Sequence, residues 1–163
     1  MDELPLDVVF SKIIDKGSSM NLNKLFSLLI VAIILLAMSP LVLVRIWPLL
    51  NDVSTGQTPQ YPDIQPQRFE GLTTGVAFDA AMGVVTAMEW EVREANRDQG
   101  LIEAVATVPV FRFRDDVTIS ITQEGTVAVV NLRSRSRVGK SDLGENARRI
   151  RRFQAALTAR LPR

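Results

Sequence analysis

The chain has 163 residues, with 19 Lys and Arg against 18 Asp and Glu, and it contains no Cys and no His. This composition excludes disulfides, thiolate metal sites, imidazole ligation of a haem or metal, and the commonest general base. The charge is distributed unevenly: residues 133–163 hold ten Lys or Arg and two acids, whereas residues 1–132 hold nine and sixteen. Either this basic segment meets an anionic partner, or the two regions neutralise each other within the fold.

The N-terminal tail, residues 1–22, has the spacing of a short amphipathic helix that could lie at a membrane interface. An unstructured tail fits the same residues. The side chains that would share the apolar face are Leu6, Val9, Phe10, Ile13 and Ile14.

An uncharged apolar run of 20 residues, Leu25 to Val44, follows the tail. As a helix it would extend about 30 Å, the thickness of the hydrocarbon core of a bilayer. Lys24 precedes the run, and Arg45 and Trp47 follow it, which is typical of a helix anchored at both interfaces. The pattern predicts a transmembrane helix over residues 23–47. A cleaved signal peptide is the alternative, but its apolar region would be shorter and a small-residue cleavage site would follow it.

Cations near the run indicate its orientation. Lys12, Lys16 and Lys24 precede it, whereas Arg45 alone closely follows it. The positive-inside rule therefore places the N-terminus in the cytoplasm and the C-terminal domain in the periplasm or a lumen.

Residues 48–70 have the composition of a linker. Pro59, Pro62 and Pro66 recur among Gln, Thr and Asp, which favours an extended, partly polyproline conformation. The folded domain is then predicted to occupy residues 71–163, a length sufficient for one modest core.

The predicted domain is α+β. Two helices flank four strands, and the short connections between strands favour an antiparallel meander with both helices on one face. A single N-terminal transmembrane helix followed by this two-layer domain is the expected architecture. The predicted elements are a helix over Phe78–Met88, strands over Trp90–Ala95, Leu101–Val110, Val117–Thr122 and Thr126–Arg137, and a helix over Leu143–Leu161.

The last helix has the clearest signals. Its apolar stripe has a spacing of three to four residues and includes Leu143, Ala147, Ile150, Leu157 and Leu161. Asp142 is the expected N-cap, and Glu145 would complete a capping box and pair with Arg149. Arg148, Arg149 and Arg152 are predicted to point away from the stripe.

The densest chemistry lies between the fourth strand and this helix. Arg133, Arg135 and Arg137 would share one strand face, and Gly139-Lys140-Ser141 leads into a helix N-terminus with free N–H groups. Such an arrangement could bind a phosphate, a sulfate, a carboxylate or a protein partner. Alternatively, the segment is a basic turn whose arginines pair with nearby carboxylates. The candidate anion- or partner-binding residues are Arg133, Arg135, Arg137, Lys140, Ser141, Arg148, Arg149 and Arg152.

Other site chemistries fit poorly. A Walker A loop would need glycine at the position of Ser134. Nucleic-acid binding would need aromatic side chains beside the arginines, and only Phe153 is near. Glu103, Asp115 and Asp116 could form an acidic cluster, but without the spacing of a defined metal site. No catalytic residue, cofactor or metal is therefore predicted, and no nucleic-acid partner is expected.

Residues 133–150 carry the pattern R-S-x-S-R-x-G-x-S-D-L-G-x-N-x-x-R-I, and residues 103–117 read EA-x-A-x-x-P-V-F-R-F-R-D-D-V. Both segments resemble the domain of unknown function 1499, with a likeness that extends over residues 55–161. The resemblance implies a small bacterial or plastid-type protein, often membrane-associated, without an established activity. A photosynthetic or respiratory assembly is the setting that it implies.

The functional expectation is a non-enzymatic, single-pass accessory subunit of a larger membrane complex, with the bilayer and other membrane subunits as partners. The alternative is a membrane-tethered domain that binds an anionic ligand such as a lipid headgroup. The turn from Arg137 to Asp142 is expected to act first as a structural clasp. In that clasp Asp142 caps the helix, Gly139 adopts a backbone angle that a Cβ would disfavour, and Arg137 binds a carboxylate or free carbonyls nearby.

Overall fold

The computed structural model describes residues 22–46, 50–108 and 112–161. It divides into two compact units, Met1–Ile46 and Trp47–Arg163. The predicted amphipathic tail up to residue 21, the interfacial Trp47 and the end of the second predicted strand, residues 109–111, lie outside the described residues.

The first unit contains helix α1, Leu22–Ile46, which is 25 residues long. Large apolar side chains along it, including Phe26, Leu29 and Leu36, are more than half exposed. Within the part of the chain that the structure describes, no helix meets the length and apolarity needed to cross a membrane.

The second unit is an α+β domain with one antiparallel sheet of six strands. Strands β3 to β6 form the predicted meander, and two short strands, β1 and β2, both pair with the outer edge of β6. Helix α2 packs against α3, β5 and β6, and α3 also packs against β6 and β1. The elements are β1 Asp52–Ser54, β2 Gln67–Glu70, α2 Thr74–Ala87, β3 Glu91–Asn96, β4 Leu101–Thr107, β5 Arg114–Glu124, β6 Val127–Ser136 and α3 Glu145–Arg160.

The predicted linker over residues 48–70 is wrong. Residues 52–54 pair with 133–135, and residues 67–70 pair with 127–130. Val53 and Ile64 are almost completely buried, at 0% and 1% exposure. The three prolines lie in the loop between β1 and β2, and the apolar side chains of Val53 and Ile64 near them are part of the core. The domain therefore begins near residue 50, and the sheet has six strands instead of four.

The core lies between the helices and one face of the sheet. Alternate residues of the central strands fill it, as the two-residue period predicted. Trp90 stacks on Phe153 with ring centroids 5.8 Å apart and joins the sheet edge to α3. The fully buried positions include Ile102, Ile119, Ala128, Ile150, Phe153 and Leu157.

Several predicted details need correction. The strand predicted over Trp90–Ala95 forms as β3, an edge strand with nearly all residues exposed, and Val92 in it is 39% exposed. Helix α2 begins at Thr74, four residues before the predicted start, because the Thr73 hydroxyl accepts the Val76 N–H and caps it. Leu143 lies outside α3 and is 62% exposed, since the chain reverses there through positive φ angles.

Candidate binding face

The arginine row lies where the strand period predicted it. Arg133 and Arg135 of β6, with Arg137 immediately after that strand, lie on the sheet face opposite the helices, and their side chains are 50%, 60% and 43% exposed. Neighbouring strands add Arg93, Glu103 and Asp116, among other residues, to a shallow groove of about 610 Å³. We refer to this surface as the arginine face.

Carboxylates hold two of the three arginines of the row. Arg133 donates to both carboxylate oxygens of Asp52, at 2.9 and 2.5 Å. Arg137 donates twice to Oδ1 of Asp116, at 3.0 and 2.5 Å. These guanidinium groups hold the pKa of Asp52 and the pKa of Asp116 below the ordinary value of 3.8. Both carboxylates therefore stay charged across the physiological pH range.

Arg135 is the least engaged member of the row. Its Nε lies 4.0 Å from Oδ2 of Asp52, which is too far for a hydrogen bond. At the other side of the groove, no ion pair to Glu103 occurs among the described residues. The arginine face therefore presents a mosaic of paired charges, with one cation and one anion available to an external partner.

A polar strip continues the arginine face along the same side of the sheet. Ser54, Gln57, Ser120 and Asn131 line a second groove of about 410 Å³, which shares Thr118 and Arg133 with the first. The lining of both grooves lacks aromatic side chains among the described residues. This surface can offer hydrogen bonds and charges, but no stacking platform.

The structure separates Arg149 from the other candidates and buries it. Arg149 is 3% exposed and donates through Nη2 to Asp115, at 2.7 Å. Its Nη1 donates to the Ser134 hydroxyl at 2.8 Å and to Oδ1 of Asn146 at 2.7 Å. The predicted surface pair with Glu145 is wrong, since Arg149 turns inward between α3 and the sheet.

Asn146 completes this buried network. Its side-chain oxygen also accepts from the Ser134 hydroxyl, at 2.6 Å, and its Nδ2 donates to the Ser136 hydroxyl and the Asn51 carbonyl, both at 3.0 Å. The amide of Asn146 is thus fully satisfied while completely buried. The sequence predicted Asp115 as one of several carboxylates that could pair with the arginines of the basic segment, which the Arg149–Asp115 pair confirms, but it assigned no role to the Asn146 side chain. The available signal was that Ser134 and Ser136 are polar residues at inward strand positions, which require a buried partner.

The N-terminus of α3 is filled by the chain itself. The Asp142 carboxylate accepts the N–H groups of Gly144 and Asn146, at 2.8 and 2.5 Å, and the Ser141 hydroxyl accepts the Leu143 N–H at 3.3 Å. The N-cap residue is Gly144, which has no side-chain cap, so the prediction of Asp142 as the N-cap is wrong by two positions. The Asp142 carboxylate binds the first turn from outside the helix, which starts at Glu145. The expected phosphate cradle at this N-terminus is not open, because its donors already bind a carboxylate.

The predicted capping box does not form. The Glu145 side chain instead accepts from Arg148 and Arg152, at 3.1 and 2.5 Å, on the outer side of α3. The Asp142 N–H donates to the Leu50 carbonyl at 3.0 Å. Lys140 lies exposed in the loop before the helix.

Two parts of the clasp predicted for the β6–α3 turn are confirmed, since Arg137 binds the carboxylate of Asp116 and Gly139 has a φ of +88°. Asp142 binds the Asn146 N–H in the first turn of the helix, although Gly144 is the N-cap. The candidate set thus divides by position: Arg133, Arg135 and Arg137 on the arginine face, Lys140 and Ser141 in the turn, Arg148 and Arg152 on the outside of α3, and Arg149 in the core.

No curated protein matches the sequence. The family model described as "Protein of unknown function (DUF1499)" matches residues 46–157, which is more than half of the chain and includes β1, β2 and the segment between them. This chain therefore belongs to the DUF1499 family.

Proposed function

We propose that this protein is a non-enzymatic, membrane-anchored accessory subunit, whose DUF1499 domain docks through the arginine face on a larger membrane protein complex. The observation that carries the proposal is the row of Arg133, Arg135 and Arg137 on the sheet face opposite both helices.

The charge arrangement favours a protein surface as the partner. A phosphate site needs several uncompensated donors that converge on one point, whereas Arg133 and Arg137 already hold Asp52 and Asp116. A surface on which positive and negative side chains alternate is instead suited to a protein partner with the opposite charge at each position. Such charge pairs across an interface set the specificity and the rate of association.

The anchor in this proposal is the apolar run from Leu25 to Val44. Its support is the sequence: about 30 Å of uncharged helix with flanking cations has the dimensions of a bilayer core. We place the N-terminus in the cytoplasm and the domain in the periplasm or a lumen, on the basis of the cations that precede the run.

We propose a non-enzymatic role because of the amino-acid composition of the chain. The chain has neither His nor Cys, and so lacks the commonest general base and the thiol nucleophile. A photosynthetic or respiratory complex is the setting proposed from the family resemblance.

A tagged full-length protein, solubilised in mild detergent from its native membranes, tests the docking. We expect it to migrate as part of a larger assembly, and Arg135→Glu to release it. Arg97→Glu is the matched control, because Arg97 is similarly exposed, at 57%, and lies in the β3–β4 turn instead of on the arginine face. Migration of the unmodified protein alone, at monomer size, would overturn the proposal.

A second candidate function is binding of an anionic small ligand such as a lipid headgroup. The favouring observation is that Arg135, which makes no hydrogen bond to a carboxylate among the described residues, lines the groove of about 610 Å³, and that the polar strip continues this groove. Binding of the full-length protein in neutral vesicles to added inorganic phosphate or phosphatidylglycerol would distinguish this function, since a pure docking face would bind neither.

A further inference from the structure

We infer that one end of the DUF1499 domain is a bilayer-contacting surface, formed by Val138 and Leu143 of the β6–α3 turn and Phe113 at the start of β5. This inference rests on the membrane anchor of the proposed function. It goes beyond that function because it assigns the domain its own contact with lipid, separate from the anchor, and says which end of the domain faces the bilayer.

The exposed apolar side chains of the domain are concentrated at this end. Val138 is 61% exposed, Leu143 is 62% exposed and Phe113 is 48% exposed. Among the described residues of the domain, the other large hydrophobic side chains with such exposure are Val76 and Val92. Leu143 also has a φ of +53°, which bulky residues rarely adopt. The backbone of the turn therefore directs the Leu143 side chain into solvent and not onto the core.

Phe113 and Val138 lie at the same end of the sheet because of the strand register. Asp115 of β5 pairs with Ser136 of β6, so the residues just beyond this pair, Phe113 and Val138, leave the sheet at the same end. Leu143 follows in the turn that joins β6 to α3. We refer to this group as the apolar end.

Cations accompany the apolar end. Arg112 and Lys140 are exposed beside it. The nearby acids are already engaged: Asp115 with Arg149, Asp116 with Arg137, and Asp142 with backbone N–H groups. Apolar side chains bordered by available cations suit an interface with anionic lipid headgroups.

The chain enters the domain at this same end. The Leu50 carbonyl accepts the Asp142 N–H at 3.0 Å, and the Asn51 side chain donates to the Gly139 carbonyl at 2.6 Å. The Asn51 carbonyl also accepts the Ser136 N–H at 2.7 Å. Three residues, 47–49, separate Leu50 from the last residue of α1, Ile46. A chain that leaves a bilayer at residue 46 therefore reaches the apolar end within a few residues, which is why we commit to lipid, and not to a protein, as its occupant.

The test uses the absence of native cysteine. Single cysteines are introduced into the full-length protein as Val138→Cys and Leu143→Cys, and each is labelled with a polarity-sensitive fluorophore. The protein is reconstituted in phosphatidylcholine vesicles that contain phosphatidylglycerol and nitroxide-labelled lipid. Val76→Cys is the control, since Val76 is also an exposed valine, at 46%.

Val76 lies toward the other end of the sheet. The neighbouring Thr74 N–H donates to Gln123 near the end of β5, and the 11 residues of that strand extend about 33 Å from the apolar end. We expect blue-shifted, nitroxide-quenched emission from labels at positions 138 and 143, and unshifted, unquenched emission at position 76. Equal emission and equal quenching at positions 138 and 76 would overturn the inference.

A label at Leu35→Cys, within α1, separates this inference from the anchor on which it rests. Quenching at position 35 without quenching at 138 and 143 would retain the anchor and refute the apolar end. Aqueous emission at position 35 would refute the anchor instead. Quenching at 138 and 143 that requires phosphatidylglycerol would support the role of Arg112 and Lys140.

Discussion

Arg135 and Arg149 belong to the same basic segment, yet the fold gives them opposite environments. Arg135 is 60% exposed, and its nearest carboxylate is 4.0 Å away. Arg149 is 3% exposed and makes three hydrogen bonds, to Asp115, Ser134 and Asn146. A run of arginines is therefore not one site: part of it is a surface available to partners, and part of it is the polar centre of the core.

The energetic consequences of the two environments also differ. An exposed ion pair contributes little, because water and salt screen it and both side chains lose freedom. Removing one partner of a buried pair leaves the other charge buried without compensation. The comparison predicts large stability effects in the Arg149 network and small ones on the arginine face.

The largest effect is expected for Arg149→Met. It leaves the Asp115 carboxylate buried without its paired cation, which should cost about 3 to 5 kcal/mol of unfolding free energy. Chemical denaturation of the protein measures this loss. Arg148→Met is the control on the outer side of α3, where Arg148 is 49% exposed. Equal losses in the two variants would contradict the division of the segment into buried and exposed parts.

Asp142→Ala should have the next largest effect. Its carboxylate binds the N–H groups of Gly144 and Asn146, and loss of such a cap costs about 0.5 to 2 kcal/mol. The melting temperature should fall by several degrees. Asp63→Ala, which removes an exposed pair with Arg151, is the control. A variant of unchanged stability that had lost partner binding would make the turn a recognition site instead of a clasp.

The third largest effect on stability is expected at low pH, where the ion pairs of the arginine face are lost. Hydrogen bonds from Arg133 and Arg137 hold the pKa of Asp52 and the pKa of Asp116 below their ordinary value of 3.8. A lowered pKa in the folded state gives stability that is present above the unfolded value and is lost as pH falls through the folded value. Stability should therefore decline below about pH 4, modestly because both carboxylates are partly exposed. In Asp116→Asn, measured by thermal unfolding from pH 6 to pH 2, this decline should be shallower.

The smallest effect on stability is expected for Arg135→Ala. Exposed substitutions of this kind usually change the unfolding free energy by less than about 0.5 kcal/mol. The same variant should weaken association with the proposed membrane complex, as measured by co-purification. A strongly destabilised Arg135→Ala protein would show that the arginine face is structural, like the Arg149 network.

Local pattern predicted much of this fold correctly. The inward positions of β4, β5 and β6 follow from the two-residue period, and they include Ile102, Ile119 and Leu132, all at most 3% exposed. The left-handed Gly139 and the binding of helix N–H groups by the Asp142 side chain follow from the preferences of those residues in turns, although the N-cap position itself falls at Gly144. The outward row of Arg133, Arg135 and Arg137 follows from the same period.

Two features were decided by tertiary contacts. Residues 52–54 and 67–70 look like parts of a proline-rich linker, but the free edge of β6 offers backbone hydrogen bonds that make them strands. Arg149 looks like an outer residue of an amphipathic helix, but Asp115, Ser134 and Asn146 form a polar pocket that admits it. By itself, the sequence determined the meander, the helices and the face of each arginine on β6, because those depend on residues near in the chain. The second edge of the sheet and the burial of Arg149 depend on partners distant in the chain, which only the folded domain brings together.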